Sequence, residues 1–86
     1  MTFQLSILAI DREIYKGQAQ ALTVPSQTGE LQVLADHVPL ITLLKEGNLV
    51  LKKENAEEQT IPIAGGVLEV KTNPPTGGEV VALVSF

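Results

Sequence analysis

The sequence predicts an all-β protein, an antiparallel two-layer β-sandwich of about eight to ten short strands. Three observations point to it. Apolar residues recur with a period of two in short runs. Glycine, proline, asparagine and aspartate punctuate those runs at close, fairly even spacing. No stretch holds the 3.6-residue apolar period of an amphipathic helix, and Lys52 to Gln59, the one helix-compatible segment, has no apolar stripe to dock it. With 86 residues the chain is expected to form a single domain, 1–86.

Phe3, Leu5, Ile7 and Ala9 alternate with Thr2, Gln4 and Ser6 and make the first strand. Leu8 and Ile10 break that alternation, which predicts a second half covered on both faces. Asp11-Arg12 turns the chain into Glu13–Tyr15, and Gly17 precedes a strand from Gln18 to Val24. There Ala19 and Ala21 give way to Leu22 and Val24 on the opposite phase, the mark of a bulge or of a strand shared between two layers. Pro25 is expected to end this strand, because proline has no N–H for a ladder, and Ser26–Gly29 is a turn.

Leu31, Val33 and Leu34 form the next strand and Pro39–Leu44 another, with Glu46-Gly47-Asn48 turning the chain again. Leu49–Lys53 and Gln59–Ile63 read as a hairpin with a charged tip, and Pro62 makes its second arm an edge strand. Gly65-Gly66 is read as a turn into Val67–Thr72. Asn73–Gly78 is the longest irregular connection, before a closing, almost continuously apolar strand from Glu79 to Phe86.

Composition removes several function classes. Apolar residues make up 44% of the chain, but Phe3, Tyr15 and Phe86 are the only aromatics, so the core is aliphatic and offers no platform for stacked bases. A net charge of -4 repels a phosphate backbone. With no cysteine there is neither a disulfide framework nor a thiolate metal site. The first basic residue is Arg12, and no apolar run approaches the roughly 18 residues that span a bilayer, so the chain is expected on the cytosolic side.

Nor does any constellation carry catalysis. His37 beside Asp36 lacks the two or three further ligands that a metal needs, and reads as a loop histidine that bonds a neighbour or meets a partner. Glu54, Glu57 and Glu58 sit at a solvated tip, where nothing raises a carboxylate pKa. Gly65-Gly66 and Gly77-Gly78 lack the lysine and helix of a phosphate loop, and Ser6, Ser26 and Ser85 lack a nucleophile elbow. Gly29-Glu30-Leu31 alone reads as a hairpin turn whose glutamate faces water. No catalytic, cofactor-binding or metal residue is assigned.

Several spaced positions nevertheless act as one pattern: Tyr15-x-Gly17, Val24-Pro25, Gly29-Glu30-Leu31, Val33-Leu34, His37-x-Pro39-Leu40-Ile41-Thr42, Gly47 and Gly65-Gly66-x-Leu68-Glu69-Val70. From about Phe3 to Val70 the chain resembles the epsilon-subunit family of F-type ATP synthases, called delta in mitochondria. Gln32 replaces a usual glycine and Ala35-Asp36 a usual Pro-Gly, so the turn before His37 is expected to differ in shape.

The resemblance implies a non-catalytic rotor subunit between the gamma subunit and the membrane c-ring, peripheral on the cytoplasmic face of the bacterial inner membrane. Such a subunit couples proton flow to ATP synthesis and needs no cofactor. It implies partner contacts at Gly29, Glu30, Leu31, His37, Pro39 and Leu40. Family members usually continue into two antiparallel helices that restrain hydrolysis and in some cases bind ATP. A sequence ending at Phe86 is expected to have no C-terminal helical hairpin, no inhibition through it and no tight nucleotide binding. The residues by themselves leave open a stand-alone sandwich that binds peptide or carbohydrate, with an edge at Ile61–Ile63.

Overall fold

A computed structural model describes residues 1–35, 38–71 and 78–86, and these contain strands and turns but no helix. The strands are β1 (Phe3–Leu8), β2 (Glu13–Ser26), β3 (Gly29–Leu34), β4 (Leu40–Leu44), β5 (Gly47–Lys53), β6 (Glu58–Ile63), β7 (Gly65–Lys71) and β8 (Glu79–Ser85). Hydrogen bonding runs β1-β8-β7-β4-β2-β5-β6, with β3 beside β2 and β1 also beside β2.

The 14-residue β2 joins the two layers. Glu13–Ala19 pairs with β1, Ala21–Ser26 with β3, and Ala19–Thr23 with β5. The predicted phase switch falls in this strand, where the register against β5 slips between Ala19 and Ala21 and brings Ala19, Leu22 and Val24 into one core. One layer is therefore β4-β7-β8-β1 with the start of β2, and the other is β3-β2-β5-β6.

Alternate residues of both layers fill the space between them. Phe3, Leu5 and Ile7 come from β1, Leu22 and Val24 from β2, Leu49 and Leu51 from β5, Leu68 and Val70 from β7, and Val80, Ala82 and Val84 from β8. Burying each of the larger side chains contributes about 1.5–3 kcal/mol, which is the main force holding the layers together.

Several local expectations need correction. β1 stops at Leu8, and Ile10 is fully exposed rather than covered, because the Ala9 N–H donates to the Arg12 carbonyl (2.8 Å) and closes a tight turn with Ile10 at its tip. Pro25 does not end β2, which continues to Ser26. The Pro25 carbonyl accepts from the Lys45 N–H (2.8 Å), and in an antiparallel strand N–H and C=O of one residue face the same edge. The missing donor thus faces the β4–β5 turn and leaves the β3 ladder intact.

Gly65-Gly66 opens β7 instead of forming a turn. Gly66 lies so close to β8 that a Cβ there would overlap the Leu83 carbonyl oxygen, and only glycine permits the approach. β8 runs antiparallel to β7 but parallel to β1, so one pair departs from the antiparallel pattern. These two strands lie far apart in sequence, and no short hairpin dictates their relative direction. Pro62 does sit in an edge strand, β6, at the end of the strand order. The expected connection at Asn73–Gly78 lies, Gly78 apart, outside the described residues.

Candidate functional site

The β2–β3 hairpin is a rigid tip. Ser26 pairs with Gly29 across the two-residue loop Gln27-Thr28. Its buried Oγ donates to the Gly29 carbonyl and lies 3.3 Å from Thr28 Oγ1. Gly29 has φ +125°, a conformation that glycine adopts without a steric penalty. The Gln27 N–H donates to the Leu43 carbonyl (3.1 Å), which anchors the tip to the end of β4. Glu30 faces water opposite Pro25, whereas Leu31 is half-buried and packs on the core.

Pro39 and Leu40 lie elsewhere. Pro39 is exposed, Leu40 is half-buried against the core and pairs with Val70, and both line a shallow groove with Ile41, Glu69 and Lys71. Four residue steps separate this end of β4 from the Leu44 end that meets Ser26, about 13 Å along a strand. The expected contact residues are thus carried by two strand ends rather than by one pocket. His37 lies outside the described residues.

A second feature escaped the sequence reading. On the outer face of the first layer, Leu43, Val67, Leu83 and Leu8 stand side by side across β4, β7, β8 and β1. Leu43 is 58% exposed, Leu83 53% and Val67 36%, and Ile41, two residues before Leu43 on the same face, is 72% exposed. The outer face of the other layer carries Gln32, Thr23, Val50 and Thr60 in one row and Leu34, Ala21, Lys52 and Glu58 in the next. Isolated exposed apolar residues are ordinary, but a contiguous ladder across four strands is a candidate interaction surface. The available signal was the apolar residues at both phases in Leu40–Leu44 and Val80–Val84, which read as burial on two faces.

The ATP synthase delta/epsilon chain β-sandwich domain matches residues 2–76. This chain belongs to that family. The resemblance read over about Phe3 to Val70 is thereby established.

The delta/epsilon-type sandwich is 37% identical over 70 residues to the ATP synthase epsilon chain of Dichelobacter nodosus (strain VCS1703A), a match covering 81% of this chain and 49% of that one. It spans about half the length of that relative. Its fold is that of a chain in the Euglena gracilis mitochondrial ATP synthase in rotational state 1 (TM-score 0.87, 24% identity, 99% of this chain and 51% of that chain). It is also that of a chain in the Tetrahymena thermophila mitochondrial ATP synthase central stalk and c-ring (TM-score 0.78, 13% identity, 100% and 65%).

Among the described residues of this sandwich, no three His, Cys, Asp or Glu side chains gather where they could hold a metal. Among the described residues no helix is long and apolar enough to cross a membrane. Ser26 is the one buried polar side chain among the described residues, and it is satisfied within its own turn. What the fold presents is surface: an apolar ladder on one layer, a polar face on the other and a braced acidic tip.

Proposed function

We propose that this chain is the sandwich domain of a non-catalytic central-stalk subunit of an F-type ATP synthase. It stands between the gamma subunit and the c-ring and turns with both, so that proton flow is coupled to ATP synthesis. The observation that carries this reading is the Leu43–Val67–Leu83–Leu8 ladder, displayed by a rigid two-layer block. Permanent interfaces are more apolar than transient ones, which suits this face to the gamma subunit. The neighbourhood of His37, with Pro39 and Leu40, lies near gamma and the ring, and the Gly29-Glu30-Leu31 tip meets the polar loops of the c-ring. There a carboxylate fixes register more than it adds affinity. The subunit works at the cytoplasmic face of the bacterial membrane and binds no cofactor.

The test is binding of the purified chain to purified gamma subunit. Leu83→Asp and Val67→Asp are expected to weaken it at least tenfold, while Thr23→Asp and Gln32→Asp on the opposite face leave it within about twofold. Circular dichroism of each variant separates lost docking from lost folding. Equal affinities for folded variants of both faces would overturn the assignment of the ladder, and absence of any binding by the unaltered chain would overturn the stalk reading itself.

A further inference from the structure

We draw no further inference here: the strongest candidate, the apolar groove between Leu8–Ile10 at the end of β1 and Leu83–Ser85 of β8, belongs to the sheet face already described, and nothing in the structure shows what covers it.

Discussion

Glu30 and Ala56 illustrate how single residues divide between function and stability. Glu30 is held on a tip braced by Ser26, Gly29 and the Gln27–Leu43 hydrogen bond, yet neither of the ion pairs among the described residues, Asp11–Arg12 and Lys53–Glu57, involves it. Its charge is therefore available to a partner. In a reconstituted ATP synthase, Glu30→Lys is expected to lower ATP-driven proton pumping relative to hydrolysis, and Glu30→Gln to leave the ratio near normal. Normal pumping by the lysine variant would move the c-ring contact elsewhere.

Ala56 has φ +71° in the β5–β6 turn, where its N–H donates to the Lys53 carbonyl (2.9 Å) and Asn55 Oδ1 accepts from the Glu57 N–H (3.0 Å). A left-handed conformation costs a non-glycine residue about 1–2 kcal/mol, partly offset by the lower unfolded-state entropy of alanine compared with glycine. Ala56→Gly should stabilise the domain by about 0.5–1 kcal/mol, read as a rise of a few degrees in Tm.

Among the elements, β7 and β8 show glycine required by contact as well as by conformation, since Gly66 has φ +157° and also lies against β8. Gly66→Ala drives a methyl into the Leu83 carbonyl, and backbone cannot rotate away as a side chain can. Urea unfolding of Gly66→Ala should reveal a loss of about 3 kcal/mol. Gly29→Ala meets nothing within 4 Å and should lose only about 1 kcal/mol, through its φ. Equal costs at the two positions would show that β8 can shift to accommodate the methyl.

The same pair explains what the sequence could reveal. Period-two alternation in Phe3–Ile7 and the phase switch at Ala19–Leu22 are local, so β1 and the sharing of β2 between layers were legible, but Gly17, read as a break between Glu13–Tyr15 and Gln18–Val24, lies inside one continuous strand paired with Leu5. Glycine signals a turn and a close approach with the same letter, so the opening of β7 at Gly65-Gly66 was not. Pro25 misled because its effect depends on which edge its missing N–H faces. The hairpin tip at Gly29-Glu30-Leu31 could be read from its turn residues. The apolar ladder could not, because it exists only once β4, β7, β8 and β1 are in register, and that register leaves no mark in any one strand.

Across the whole molecule, close-packed aliphatic layers make a block of 33 × 24 × 22 Å whose two outer faces differ in polarity. Dense packing resists deformation, the property required of a part that transmits rotation. The residues described here converge on no metal or catalytic cluster, and this domain is expected to show no thermal shift with micromolar ATP. A shift of several degrees would reveal a nucleotide site and contradict that expectation.

The parallel β1–β8 pair carries a further consequence, one of time. β1 emerges first from the ribosome and finds β2 almost at once, but the neighbour for its other edge begins only at Glu79. At typical bacterial synthesis rates of 5–20 residues per second, that edge waits roughly 4–14 s while Leu5 and Ile7 have only part of their cover. Throughout that interval the second edge of β1 lies open along the seam that β8 finally closes.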